Sequence, residues 1–281
     1  MCIGFANPYP QLAWRETDIL VPRADPGHRA AANLRARRAA RAARDTGGTA
    51  KAAKAAKAAI GKAIALLGGL AKMFRHGHTS ERWSLLGSCQ KRLAQVTAAN
   101  DRIAALEKMR ECYGKAFERS AESGTFDSYA LLNRLLADTL LELLGAPPPP
   151  PAPPRALARG RARVEAPVAP EEWLRRAENE TRTIDDKNPS FQNAVPLADI
   201  ALGRALLQGR LDGEVQQQVI AAYLQAWRRG GSALQFASVL EQIDFVSHIL
   251  DQPESAHPTM AQLCVGLRAV AAQLRSATGV G

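Results

Sequence analysis

Aromatic residues and paired cysteines are scarce in this sequence. Phe, Trp and Tyr make up 5% of the 281 residues, and alanine supplies much of the 46% hydrophobic share. Because alanine favours helices and disfavours strands, this composition predicts a helical protein and excludes an extended sheet. The cysteines lack any CxxC spacing, so a disulfide framework is not expected. Cys89 and Cys112 lie symmetrically about a turn predicted near residue 100, where two buried free thiols are a simpler interpretation than a redox pair.

The motifs of the common enzyme classes are missing as well. No glycine-rich loop has the spacing of a phosphate-binding loop, and no serine lies in a nucleophile elbow. The one histidine pair, His76 and His78, has no cluster of cysteines or carboxylates nearby to complete a metal shell. We therefore expect a non-enzymatic protein with no catalytic residue, no metal site, no cofactor and no small-molecule substrate.

Long hydrophobic segments are also lacking. The N-terminal residues do not combine a basic region with a continuous apolar stretch, as a secretory signal would. The most apolar stretch, residues 60–74, is too short to span a bilayer and contains Lys62 and Lys72. These features predict a cytoplasmic protein.

Basic residues are distributed unevenly along the chain. Residues 1–78 contain 14 Lys and Arg against 4 Asp and Glu, so they carry the whole formal net charge of +10 and the remaining residues are neutral. Lysine and arginine interleaved with alanine are typical of tails that bind phosphate backbones through counterion release. The candidate contacts to an anionic partner are Arg35, Arg37, Arg38, Arg41, Arg44, Lys51, Lys54 and Lys57.

Three interpretations of this basic segment stay open. It could bind nucleic acid, although it lacks the interleaved aromatics that stack on single-stranded bases. Residues 60–74 with their flanking lysines could instead lie on an anionic membrane surface. A flexible extension without a binding role, even one that precedes the true start of the reading frame, agrees best with the composition. Within a helix predicted over 49–76, Gly68 and Gly69 interrupt the apolar stripe.

Composition and periodicity divide the chain into four regions. A basic low-complexity leader (1–78) precedes a helical unit (79–144), a proline-rich linker (145–170) and a C-terminal helical domain (171–281). The second region predicts one helix over 82–95, a second that carries Ile103 to Phe117, and a third over 128–144. In the last region, helices are predicted over 171–185, 191–208, 212–229, 232–251 and 259–276.

One internal repeat stands out in the second region. Trp83, Leu86 and Gly87 align with Tyr129, Leu132 and Asn133, 46 positions later. Each copy places an aromatic residue, then leucine, then a small or turn-tolerant residue near the start of a helix. A small residue there allows a neighbouring helix to approach closely, as stacked helix pairs require.

This pattern resembles the tetratricopeptide repeat, whose first helix carries Trp-x-x-Leu-Gly. Met109, Tyr113 and Ala116 match the second helix of that repeat, with Met in place of the usual small residue. Tyr223 and Ala226 offer a weaker second instance. The period here is about a dozen residues longer than usual. The resemblance implies an all-α fold of antiparallel helix pairs in an α-solenoid, followed by a C-terminal helical bundle.

A looser resemblance concerns residues 80–88 and 231–245. They look like bacterial tetratricopeptide proteins that are similar to the TRAF-binding region of apoptosis-signalling kinases and that accompany caspase-like peptidases. The resemblance implies a protein-interaction scaffold in signalling or defence, with a groove for a protein or peptide lined by the first helix of each pair. A solvated helix face is the alternative. The implied groove positions are Glu81, Ser84, Ser88, Lys91, Arg92, Asp127, Ala130, Arg134, Ala137 and Asp138.

Overall fold

The computed structural model describes residues 34–36, 38–39, 50–72, 79–147, 169–251 and 258–280, and these residues form helices without any strand. The predicted all-α fold is therefore confirmed. Most of the predicted linker (148–168) lies outside the described residues, as do Arg37, Arg41, Arg44, His76 and His78. The long helices are α1 (Ala50–Lys72), α2 (Ser80–Val96), α3 (Ala99–Glu122), α4 (Ser128–Leu143), α5 (Pro170–Lys187), α6 (Phe191–Leu207), α7 (Gly213–Trp227), α8 (Ala233–Leu250) and α9 (Pro258–Thr278).

Contacts between Cα atoms divide the chain into two units, residues 1–130 and 131–281. The border falls inside α4, one turn after the helix begins. The four predicted regions remain a prediction, since their boundaries depend largely on the proline-rich residues outside the described part of the chain. None of the described helices is long and apolar enough to cross a membrane.

Helix α1 is part of the core of the first unit. Its buried side, which includes Ile60, Ala63 and Leu67, packs in one cluster with Leu85 and Cys89 of α2. The interpretation of residues 60–74 as a free membrane-binding stripe is therefore wrong for Ile60 and Leu67, because their side chains already lie inside the protein. For the same reason, residues 50–69 are not a flexible extension.

Gly68 and Gly69, predicted to interrupt the apolar stripe of a helix over 49–76, do not interrupt the helix itself. The helix continues through both glycines to Lys72. A Cβ added at either glycine would meet nothing within 4 Å, so these positions lie on open surface. The low helix propensity of two glycines costs about 2 kcal/mol at most. Burial of the neighbouring Leu67 offsets that cost, as tertiary packing commonly does.

Helices α2 and α3 form an antiparallel hairpin with a short turn. Arg102, near the start of α3, is buried and donates hydrogen bonds to the carbonyl oxygens of Ala94 (3.3 Å) and Thr97 (2.7 Å). These carbonyls end α2 and have no partner within the helix, so a cation satisfies them and complements the negative end of the helix dipole. Helix α3 continues to Glu122, beyond the Phe117 that the sequence suggested.

Side-chain caps explain where several helices begin. Thr79 accepts a hydrogen bond from the Arg82 amide at the start of α2, and Asp127 accepts one from the Ala130 amide at the start of α4. At the start of α8, Ser232 and Gln235 form a reciprocal capping box. Each cap satisfies amides that have no partner inside the helix. Polar residues at these positions therefore fix the ends of the helices in the sequence itself.

The second unit is a bundle in which α5 packs on α6, α6 on α7, and α9 on both α7 and α8. Phe236 of α8 contacts the rings of Phe191 (6.3 Å between centroids) and Trp227 (5.1 Å). Ion pairs also join helices: Arg229 pairs with the buried Asp185, and Arg275 donates to both carboxylate oxygens of Asp244 on α8. Aromatic packing and ion pairs thus connect helices that are distant in sequence.

Candidate protein-interaction surface

Gly87 lies where Tyr113 of α3 packs closely against α2. A Cβ at this position would lie 2.8 Å from two ring carbons of Tyr113. Both residues are buried, and Tyr113 is completely so. The absence of a side chain at Gly87 therefore lets the tyrosine ring lie flat against the backbone of α2. Ala116, one turn further along α3, is also fully buried.

Tyr113 links this hairpin to the start of α4. Its hydroxyl lies 3.2 Å from the hydroxyl of Tyr129, and the two rings meet edge to face with centroids 5.8 Å apart. Burial raises the pKa of Tyr113 well above its usual value, so the hydroxyl stays protonated. Tyr129 itself is more than a third exposed. The aromatic pair thus holds the start of α4 next to α3 and leaves part of Tyr129 in solvent.

The first turns of α2 and α4 also lie side by side. Ser80 donates a hydrogen bond of 3.0 Å to one carboxylate oxygen of Asp127, whose other oxygen caps α4. This hydrogen bond places the N-terminus of α2 next to the residue that caps α4.

The predicted groove residues of α2 differ in exposure. Glu81 is exposed, Lys91 and Arg92 are half-buried, and Ser84 and Ser88 are buried. Arg92 donates to the hydroxyl (2.9 Å) and to the carbonyl oxygen (3.2 Å) of Ser88. The polar face of α2 therefore presents a carboxylate at its start and cations in its last two turns, with the two serines beneath the surface.

The predicted groove residues of α4 belong to both units. Asp127 and Ala130 lie in the first unit, whereas Arg134, Ala137 and Asp138 follow the border and belong to the second. Ala130 and Ala137 are buried. Arg134 and Asp138 are half-buried and form an i, i+4 ion pair at 4.0 Å. Leu132 and Asn133, predicted to pack between repeats, are both buried.

Trp83 lies between the α1 cluster and a charged patch on α3. Its ring packs against the cluster that contains Ile60, and the Nζ of Lys115 lies 4.5 Å from the ring centroid. Lys115 and Lys108 both donate to Glu111, and these hydrogen bonds lower the pKa of Glu111 to about 2. The side of Trp83 that faces α3 is therefore covered by a cation and is not an open apolar surface.

The predicted anionic-partner residues that the structure describes are exposed. Arg35 and Arg38 lie on a helical stretch before α1, and Lys51, Lys54 and Lys57 lie on α1 itself. Lys57 forms an ion pair of 2.6 Å with Asp101 of α3, and both side chains are more than half exposed. The ion pair adds little stability, but it shows that this edge of α1 faces the start of α3.

The described residues offer little for catalysis. They contain no group of three His, Cys, Asp or Glu side chains that could hold a metal ion. Burial raises the pKa of the Cys89 thiol to about 11, and burial does the same for Cys112. Thiols with such pKa values are protonated at neutral pH and are poor nucleophiles.

Two structural features of this unit were missed in the sequence. The packing of α1 was signalled by Ile60, Ala63, Ile64 and Leu67 at helical spacing, but the surrounding lysines and alanines obscured it. The buried Arg102 gave no signal, because its role depends on how the α2–α3 turn brings helix-end carbonyls to it. In the second unit, Tyr223 is fully buried and donates to Asp199 at 2.6 Å.

Comparison with known proteins shows that the part of the chain with the repeat pattern is similar to one family. Residues 15–141 match the sequence profile of the family described as Tetratricopeptide Repeats-Sensor. The match includes the basic leader from residue 15 onward, α1, the α2–α3 hairpin and most of α4. No curated protein and no solved structure matches the chain. The predicted tetratricopeptide-like character is thereby confirmed, and the helical architecture agrees with it.

Proposed function

We propose that this tetratricopeptide-repeat-like protein is a scaffold that binds another protein or peptide through the polar face of α2 and the start of α4. Proteins with tetratricopeptide-like regions bind other proteins, and the match over residues 15–141 supports that role here. The observation that carries the proposal is the ordered edge made by Ser80, Asp127 and Tyr129. Hydrogen bonds and ring packing hold it rigid while Glu81 stays exposed beside it.

Rigidity matters because binding costs less entropy when the contact residues are already ordered. On α2, Glu81 lies at one end and Lys91 and Arg92 lie at the other, about 15 Å away at 1.5 Å per residue. A partner segment with a cation at one end and carboxylates at the other would complement this distribution. We propose such a segment, extended or helical, as the ligand.

The proposed biological context is a bacterial signalling or defence system in which the scaffold accompanies a caspase-like peptidase. Support for it comes only from the resemblance of residues 80–88 and 231–245 to such proteins. In this proposal the chain contributes binding and positioning, and its partner contributes the catalysis.

Charge reversal on α2 tests the scaffold proposal. The double variant Glu81→Lys/Lys91→Glu keeps the net charge and exchanges the charges of the exposed Glu81 and the half-buried Lys91, with Arg92 unchanged. The control is Glu180→Lys/Lys187→Glu on α5, where both positions are exposed. Full-length proteins are used to capture partners from a lysate, with quantification by mass spectrometry. We expect the α2 variant to lose partners that the wild type and the control retain; identical partner profiles for all three would refute the role of this face.

The full chain is necessary in this experiment. Deleting residues 1–78 would remove α1 and expose Leu85 and Cys89 to solvent. A truncated protein would then lose or gain partners because its core is open. Point substitutions on the exposed polar face avoid this ambiguity.

A further inference from the structure

Helix α1 presents a cationic face on the side opposite its packed side. Lys51, Lys54 and Lys62 are exposed, and no described residue forms an ion pair with any of them. The sequence contains no Asp or Glu between Asp45 and Glu81. The positive charge of this helix is therefore not neutralised along its own length.

The packing of α1 fixes where these lysines point. Ala56, Ile60, Ala63 and Leu67 bury the opposite side of the helix. At 3.6 residues per turn, the three lysines fall within an arc of about 80° around the axis. Lys51 and Lys62 are separated by about 16 Å along the helix. A row of ammonium groups on a rigid helix loses less entropy on binding than the same groups on a disordered tail.

We propose that this face of α1 binds the phosphate backbone of a nucleic acid duplex without reading its sequence. Phosphates repeat every 3.4 Å of axis along each strand, so a row of cations of this length spans several of them. The described residues around the lysines are mostly alanine and glycine, which provide neither base-edge contacts nor aromatic stacking. The interaction therefore consists of charge neutralisation.

The same packing argues against a membrane as the partner. A surface-bound amphipathic helix inserts its apolar face between lipid headgroups. In α1, the side chains of Ile60 and Leu67 are buried against α2 and cannot insert. Leu66 is 42% exposed, but one leucine contributes too little apolar area to hold a helix at a bilayer. Duplex phosphate is thus the better match to a helix whose described free face carries three lysines and a single exposed leucine.

Salt-dependent binding of the full-length protein to a fluorescent DNA duplex of random sequence tests this proposal. The test variant is Lys51→Gln/Lys54→Gln/Lys62→Gln, since glutamine has nearly the same helix propensity as lysine. The control, Lys108→Gln/Lys187→Gln/Arg228→Gln, removes the same charge elsewhere. Each lysine charge that contacts a phosphate contributes about −0.9 to the slope of the logarithm of the association constant against the logarithm of the salt concentration. Loss of three such charges should therefore make the slope less negative by about 2.7. The ratio of the association constant of the wild type to that of the variant should then fall about 40-fold between about 50 and 200 mM salt.

Two further binding measurements use single-stranded DNA of the same length and vesicles of phosphatidylserine and phosphatidylcholine. The proposal is supported if the test variant, but not the control, loses duplex binding and the predicted slope. Equal slopes for the test and control variants would overturn it, as would an absence of duplex binding by the wild type. Preferential binding to the single strand, or vesicle binding that depends on the three lysines while duplex binding does not, would also overturn it. Circular dichroism establishes that α1 remains folded in each variant.

Discussion

Adding one methyl group at Gly87 tests the contact between α2 and α3 most directly. The Cβ of an alanine would lie 2.8 Å from two ring carbons of Tyr113, a distance that real Cβ contacts essentially never show. Tyr113 cannot easily move, because it is fully buried and its hydroxyl lies against that of Tyr129. We therefore predict that Gly87→Ala destabilises the first unit.

The magnitude is the balance of two effects. Forcing an extra methyl group into a packed core costs about 1–3 kcal/mol. Replacing glycine by alanine inside a helix stabilises it by roughly 0.5–1 kcal/mol. The net effect of Gly87→Ala should be a loss of up to about 2 kcal/mol in the free energy of unfolding.

Gly61 provides the matched control. It lies inside α1, and a Cβ added there would meet nothing within 4 Å. Gly61→Ala therefore retains only the helix-propensity gain and should stabilise the protein by about 0.5–1 kcal/mol. Urea unfolding followed by far-UV circular dichroism measures both variants, with each unit's transition fitted separately where two are resolved.

The two variants carry the same chemical change, but the changes in their free energies of unfolding should have opposite signs. A Gly87→Ala protein as stable as Gly61→Ala would refute the close packing of α2 against Tyr113. A double-mutant cycle with Tyr113→Leu then assigns the effect to the contact. If the methyl group clashes with the ring, the cost of Gly87→Ala should be smaller in the Tyr113→Leu background, since the planar ring is gone.

Three further predictions concern burial and charge in the first unit. Ile60→Ala should lower the free energy of unfolding by about 2–5 kcal/mol, because the side chain is fully buried. Leu66→Ala, on the exposed side of α1, should change it by no more than about 0.5 kcal/mol. Equal losses of stability for the two variants in chemical denaturation would contradict the position of α1. Glu111, whose pKa is lowered to about 2 by hydrogen bonds from two lysines, should contribute stability above its ordinary pKa of 4.5 and lose that contribution as the pH falls towards 2. The contribution is small because the carboxylate is 42% exposed, and an ordinary pKa in an NMR titration would disprove it. Cys89 and Cys112, whose pKa values burial raises to about 11, should react with a thiol reagent far more slowly in the native chain than in guanidinium, and rapid native modification of both would contradict their burial.

The sequence contained enough information to predict the helices and the α2–α3 hairpin. Trp83, Leu86 and Gly87 at their spacing, with Tyr113 in the next helix, encode a pair of helices that needs a small residue at the contact. Capping residues such as Thr79 and Asp127 mark helix starts, because their side chains satisfy amides that the helix leaves without partners. Local chemistry of this kind is readable without knowledge of the tertiary structure.

Features that depend on contacts between distant residues were not predictable in this way. In the sequence, nothing distinguishes Arg102 from a surface arginine. In the structure it lies near the start of α3 and is buried against the end of α2. Asp185 lies in the last turn of α5, where an acidic residue is ordinarily exposed, but it is buried and paired with Arg229, 44 positions later. Such pairs form only when the fold brings the partners together. Burial of either ion alone would cost several kcal/mol, so neither is expected without the other.

The predicted partner groove differs from these cases. Its residues were assigned to the correct helix, but the sequence did not predict which of their side chains are exposed. The helical face that contains Glu81, Ser84, Ser88 and Arg92 follows from the resemblance to the tetratricopeptide repeat. How far each side chain emerges does not follow from it, because it depends on the neighbouring helices that cover α2. Ser84 and Ser88 are buried, so in the proposed interaction direct contact with the partner falls mainly to Glu81 and the two cations at the other end.

Helix α1 shows why one segment can be both structural and a candidate contact for nucleic acid. Its buried side stabilises the first unit through Ile60 and Leu67, whereas its exposed side carries Lys51, Lys54 and Lys62. Substitutions on the two sides should therefore have separate effects, one on stability and the other on the affinity for phosphate. Loss of the Ile60 side chain should lower stability and leave the charge unchanged, and loss of the three lysine charges should lower the affinity for phosphate and leave the core intact. Deletion of the whole leader changes both at once, which is why point substitutions are the informative experiment.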